Sequence, residues 1–245
     1  MRGFDIDQFE KRTLKAQQLM QRHGLDALLL TTETNVRYFT GFLTRFWESP
    51  TRPWYLIIPP KGKPIAVIPS IGEALMSKTW IDDIRTWPSP DLNDDGISLL
   101  SDTLNEVAKN KNVGIPSGTE TYVRIPQNDL KKLSRNVNLT PDFDIVQKLR
   151  MTKSKEEIYK IEKACEIAEQ AFRRVPEIAF KNVHLDEIFR KFQILCLEAG
   201  ADWVPYLAGG ADTEGYDDVI SPAKVAPLKK QDILMLDTGL VWDGY

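Results

Sequence analysis

Short, nearly unbroken apolar runs constrain this 245-residue chain most: Leu25 to Leu30, Trp54 to Ile58 and Pro64 to Ile68. Each is too short for a helix and is bounded by turn-forming residues, so each reads as a strand. Thr31, Thr32, Thr34 and Asn35 supply a turn after the first run, and Pro59, Pro60, Lys61 and Gly62 supply a tight connection between the other two. Ile84 to Trp87 and Val113 to Ile115 read as further strands. Helical periodicity falls between them. Ile6 to His23 carries Phe9, Ala16, Leu19 and Met20 on one stripe and is stopped by Gly24; Ile71 to Lys78 and Ile97 to Asn110 follow. Strand and helix alternate, which predicts an α/β unit with a sheet covered by helices.

A second block begins beyond a hinge near Arg150. Ser154 followed by Glu157 has the spacing of a capping box, and Ile158, Ile161, Ala164, Cys165, Ala168 and Phe172 recur at three- and four-residue steps, predicting a helix that buries that stripe. A second helix is expected over Leu185 to Ala199, with Leu185, Ile188, Phe192 and Leu195 on one face and Gly200 as its stop. Ala208 to Val225 reads as polar and irregular. Near the end, Ile233 to Leu236 and Leu240 to Trp242 are short apolar runs, and Asp243-Gly244 is a strong hairpin dipeptide because both positions accept positive φ. A returning strand is expected after it, so the sequence reads as stopping inside a sheet.

Composition removes several classes of function. A hydrophobic content of 42% supports real cores, and the length favours two units. The formal net charge is -3, with basic residues interleaved among acidic ones, which argues against a nucleic-acid partner. The N-terminal residues lack a signal-peptide core, and no apolar run approaches a membrane span. Cys165 and Cys196, both placed on apolar helix faces, are expected as buried thiols in a reducing cytoplasm.

Several segments in order carry a resemblance. Leu-Asp-Thr-Gly at 236–239 with Trp-Asp-Gly-Tyr at 242–245, Asn35 to Phe42 (NVRYFTGF), and Leu149 to Ala168 (LRMTKSKEEIYKIEKACEIA) together resemble the creatinase, prolidase and aminopeptidase P group, the pita-bread metallohydrolases. The resemblance implies a creatinase-type N-terminal domain over 8–148 with a helix-covered mixed sheet. It also implies the first part of a pita-bread catalytic domain over 149–245, truncated after its first metal-ligand strand. In that group the ligands run Asp, Asp, His, Glu, Glu, the second Asp eleven residues after the first; only Asp237 matches here. The alternative for Asp237 is a turn residue bonding the amides of Thr238 and Gly239. Asp243 reads as the hairpin-turn residue only.

The resemblance further implies two divalent ions (Mn, Co, Fe or Zn), which lower the pKa of a shared water and polarise the bond under attack. It implies a homodimer acting on a dipeptide or small-molecule substrate. Many peptidase members of the group place a Pro-His pair in the loop before the first ligand strand. The matching stretch here, GYDDVISPAKVAPLKKQD, has none, which turns attention toward a creatine- or ectoine-like C–N bond beside the Xaa-Pro dipeptide. His23 and His184 are the chain's two histidines and both read as structural at helix ends.

Arg45 to Trp54 packs arginines and aromatics among prolines. Arg45, Trp47 and Arg52 are expected to bind substrate and to stand outside the core, since guanidinium and indole suit a carboxylate and a cationic or amide group; the alternative is a rigid loop with its aromatics tucked in. Asp212, Glu214, Asp217 and Asp218 read as a solvated acidic loop. The rival function is a catalytically inactive binding module on the same fold.

Overall fold

The computed structural model describes residues 2–49, 52–213, 216 and 218–245. The chain divides into two compact units, Gly3–Thr152 and Lys153–Tyr245, with Arg2 joining the second.

In the first unit the elements are α1 (Ile6–Arg22), β1 (Ala27–Leu30), α2 (Glu33–Thr40), β2 (Tyr55–Ile58), β3 (Ile65–Pro69), α3 (Glu73–Met76), β4 (Asp83–Trp87), α4 (Ile97–Val107), β5 (Asn112–Ile115), α5 (Gln127–Leu133), β6 (Asn138–Pro141) and α6 (Ile145–Met151). The described strands form one mixed sheet in the order β4-β3-β2-β1-β5-β6. β1 pairs antiparallel with β2, and β2 with β3; the β3–β4, β1–β5 and β5–β6 pairs are parallel.

Both faces of this sheet are covered, which is why its central strands are apolar at every position. Leu28, Leu30, Leu56, Ile58, Ala66 and Ile68 pack with Phe9, Met20, Phe39 and Ile145 on one side. Ala27, Leu29, Tyr55, Ile57, Ile65 and Val67 pack with Ile97, Leu100, Leu104 and Leu133 on the other. Alternate residues of each strand go to opposite clusters, as the two-residue strand period requires. The β2–β3 connection is held from below: the buried Gln17 amide donates to the carbonyls of Pro59 at 3.0 Å and Gly62 at 2.8 Å.

The threonine-rich segment after β1 is not a simple turn. Glu33–Thr40 is a helix that ends at Gly41, whose φ of 75° is left-handed. A Cβ at Gly41 would stand 2.8 Å from the Phe9 ring, so glycine serves both the cap and the close approach of α1.

The second unit contains α7 (Lys155–Arg173), α8 (Val175–Ile178), α9 (Leu185–Glu198), β7 (Trp203–Asp212) and β8 (Ile233–Val241). The capping box forms: Glu157 N–H donates to Ser154 Oγ at 3.2 Å, and Ser154 N–H to the Glu157 carboxylate at 2.8 Å. α9 buries Leu185, Ile188, Phe192 and Leu195 as its periodicity predicts.

α7 does not bury its predicted stripe. Glu157, Lys160, Ile167 and Ala171 are buried, whereas Ile158, Ile161, Phe172 and Cys165 are exposed. The helix is turned by about one residue, ~100°, from the expected face. Distant polar partners cause this. Lys160, 1% exposed, pairs with the Asp243 carboxylate, and Tyr245 Oη donates to Glu157 at 2.8 Å. Cys196 is buried as expected; Cys165 is not.

The terminal hairpin also differs from expectation. Residues 233–241 are one continuous strand, and its antiparallel partner is β7, whose second half from Ala208 to Asp212 lies in the stretch that reads as irregular. Gly209 and Gly210 are strand residues: a Cβ on Gly209 would fall 2.2 Å from the Met235 carbonyl oxygen, so the strands approach this closely only because glycine is there. Asp243 and Gly244 do form the expected turn, with φ of 50° and 81°, and Trp242 and Tyr245 exchange backbone hydrogen bonds across it.

Candidate functional site

β8 sends alternate residues to opposite faces. Leu234, Leu236 and Leu240 pack toward α9 with Val204 and Leu207 of β7, so Asp237 lies on the other, open face and is exposed. It pairs with Ala208 in the middle of the ladder and is therefore not a turn residue. The regular register from Asp212 through Tyr206 sets Tyr206 opposite Gly239, on the same face as Asp237, and the ladder is irregular only beyond it, between Trp203 and Tyr206. The phenol donates to Asp237 Oδ2 at 3.1 Å, and that hydrogen bond raises the Tyr206 pKa above its ordinary value. Thr238 Oγ donates to the Tyr206 carbonyl at 2.9 Å, which fixes the backbone beneath the phenol.

Two residues along β7 from Ala208, the open face is partly roofed. Tyr216 and the Asp218 carbonyl lie over Gly210, and Leu185, Asp212, Tyr216, Asp218 and Lys224 line a pocket of about 130 Å³. Asp218 is folded on itself, accepting from the amides of Ile220 and Ser221; bonding from Ser221 holds its carboxyl below the usual range. Glu214, Gly215 and Asp217 lie outside the described residues.

Among the described residues no group of three His, Cys, Asp or Glu side chains is placed to hold a metal ion. His23 sits at the C-cap of α1, stacked on Phe143 at 4.4 Å, and His184 at the N-cap of α9.

The loop after α2 sorts its side chains differently from expectation. Trp47 and Trp54 are buried in the core, their rings 5.8 Å apart, while Arg45 and Phe46 are exposed. Trp47 therefore does not stand outside the core: it fills the space between Trp54 and Arg124. Arg52 is half-buried with φ of 65°, its guanidinium 5.3 Å from the Phe46 ring and its Nη1 donating to Ser49 Oγ at 3.3 Å. Pro50 and Thr51 lie outside the described residues.

Two participants escape sequence reasoning. Tyr206 reaches Asp237 only through strand pairing, and Arg124 reaches Ser49 across 75 positions of sequence. Neither has a local signal. A motif search around Asp237 has no reason to include a tyrosine 31 positions upstream.

Comparison with known proteins gives the family and the fold. A family model, the creatinase/prolidase N-terminal domain, matches residues 12–152. An uncharacterized peptidase of Bacillus subtilis, YqhT, is 26% identical over 245 aligned residues, covering 94% of this chain and 61% of that protein. An Xaa-Pro dipeptidase of Pyrococcus furiosus is 24% identical, covering 96% of this chain and 62% of its own length. Among solved structures, a prolidase from Thermococcus sibiricus superposes with a TM-score of 0.82 at 22% identity, over 99% of this chain and 64% of that one. Dipeptidase PepE from Mycobacterium ulcerans gives 0.75 at 21%, over 97% and 62%. The chain spans about three fifths of the length of these relatives.

Proposed function

The chain belongs to the creatinase/prolidase N-terminal domain family, and from that premise we propose that it is part of a cytoplasmic, homodimeric hydrolase of the prolidase and aminopeptidase P group. Its substrate is a small molecule with a scissile C–N bond, an Xaa-Pro dipeptide in the first instance. One observation carries the reading. Asp237 stands mid-strand on the open face of β8, oriented by Tyr206, in a chain whose relatives include Xaa-Pro dipeptidases.

Asp237 would supply one carboxylate to a centre of two divalent ions, the other ligands lying outside the described residues. Such ions, when bound, provide Lewis acidity and a water of lowered pKa. Tyr206 limits the rotamers of the carboxylate, as a hydrogen bond from outside a ligand set does. Arg45 and Arg52 serve as substrate contacts.

The test is hydrolysis of glycyl-proline and other Xaa-Pro dipeptides, beside creatine and ectoine, by the protein carrying this chain at its natural length, with Mn²⁺ or Co²⁺. Metal-dependent turnover that favours one of these substrates is expected. No turnover of any of them would favour the rival, a binding module without activity. For the loop, Arg52→Ala is expected to raise KM with little change in kcat, as loss of binding common to ground and transition states does.

A further inference from the structure

Arg52 holds a backbone conformation that its side chain does not favour. Its φ of 65° lies in the left-handed region, where a residue with a Cβ is uncommon. Such a conformation persists where its surroundings over-determine it, so the groups that hold Arg52 bear on what the loop does.

Those groups come from two remote segments of the first unit. One is the turn that leads into α4. The Asp95 carboxylate accepts from the Arg52 backbone N–H, and also from Trp87 Nε1 at 2.8 Å, Ser89 Oγ at 2.6 Å and Asp91 N–H at 3.2 Å. Asp95 is itself fixed, because Gly96 lies so close to the Trp87 ring that a Cβ there would stand 2.5 Å from it. The other segment precedes α5. Arg124 Nη2 donates to the Ser49 carbonyl, its backbone N–H donates to Thr31 Oγ at 2.7 Å, and its Cζ lies 5.9 Å from the buried Trp47 ring.

Ser49 joins the two. Its carbonyl takes Arg124, its hydroxyl accepts from Arg52 Nη1 at 3.3 Å, and the Arg52 guanidinium rests 5.3 Å from the Phe46 ring. Asp95 therefore holds the backbone of Arg52, and Arg124 holds the residue that directs its side chain. A long side chain ordered in advance loses less rotamer freedom on meeting a ligand, which is where such a clamp acts.

We infer that Asp95 and Arg124 are positioning residues that act through Arg52, one fixing its backbone and the other its guanidinium. The inference rests on the reading of Arg52 as a substrate contact.

The test joins hydrogen exchange with steady-state kinetics on the natural-length protein, with Mn²⁺ and glycyl-proline. Asp95→Ala and Arg124→Gln are each expected to speed exchange of the amides at 46–49, 52 and 54 by about tenfold or more. Each is also expected to raise KM severalfold with kcat little changed. In the Arg52→Ala protein neither should raise KM further, since residues that act through one contact are not additive. Asp95→Asn keeps an acceptor oxygen and Arg124→Lys keeps the charge and a donor; each is expected to show a smaller loss of the same kind, and they carry the test where the harsher variant does not fold. The two readings fail differently. If glycyl-proline is not turned over, or Arg52→Ala leaves KM unchanged, the substrate reading fails and exchange alone decides the positioning claim. Unchanged exchange of the loop amides in folded variants, or KM effects that add in full to that of Arg52→Ala, would overturn it.

Discussion

Replacing Lys160 with methionine is expected to destabilise the second unit by about 3–5 kcal/mol, because it leaves one half of a buried ion pair behind. Lys160 is 1% exposed and the Asp243 carboxylate 10% exposed, so neither charge has water to fall back on. Lys160 also lies 5.7 Å from the Trp242 ring, and methionine keeps most of its volume, so the loss is electrostatic rather than a cavity. At roughly 4–8 °C per kcal/mol for a unit of this size, melting of the second unit should fall by ~12 °C or more. The double variant Lys160→Met/Asp243→Asn removes both charges and should recover most of the loss, a coupling of at least about 2 kcal/mol. Hydrogen exchange read by mass spectrometry assigns the effect: amides of β8 and the start of α7 should lose protection while the first unit is unchanged. A single variant that loses less than about 1 kcal/mol, or a double variant no better than the single, would refute the claim that this pair anchors the end of β8.

The remaining expectations are local. Asp202 accepts from both Nη atoms of Arg2, at 2.9 and 2.8 Å, and from Asp243 N–H at 2.6 Å, and the Arg2 bond holds its pKa below the ordinary value. Because the folded pKa lies below the unfolded one, that contribution is complete at neutral pH and is lost as pH falls through the depressed value; Asp202→Asn should flatten this part of the acid limb of a stability-versus-pH curve. Gly209→Ala places a Cβ 2.2 Å from a backbone oxygen of the partner strand, where no side chain can yield. A loss above about 2 kcal/mol and deprotected β7 and β8 amides are expected, measured by melting and hydrogen exchange. Ser154→Ala removes the side-chain half of the capping box and should cost about 1 kcal/mol, read by chemical denaturation.

What sequence reveals about this fold follows from how local each cause is. β1, β2 and β3 are legible because burial on both faces leaves apolar runs between turn residues. β6 is not, since Asn138–Pro141 is an edge strand of mixed polarity ending in proline. α2 hides among threonines whose usual preference is for turns, and β7 hides behind a glycine pair that strand packing requires. The face of α7 is misread for a non-local reason: its polar residues answer to Asp243 and Tyr245, more than 80 positions away in sequence. The same holds at the site. Asp237 is visible in its own motif, whereas Tyr206 joins it through β-pairing, and Trp47 is drawn inward by an aromatic cluster that its loop composition does not declare.

The account rests on Asp237 being a metal ligand, and the direct measurement is metal content and affinity of the natural-length protein with Asp237→Asn. Calorimetric titration with Mn²⁺ on metal-stripped wild type and variant, with circular dichroism to show the fold retained, gives the answer. The expected result is a loss of affinity greater than about tenfold for Asp237→Asn, with a smaller loss for Tyr206→Phe, whose phenol only orients the carboxylate. Unchanged stoichiometry and affinity in a folded Asp237→Asn protein would contradict the account, leaving the open-face carboxylate of β8 as an ordinary exposed strand residue.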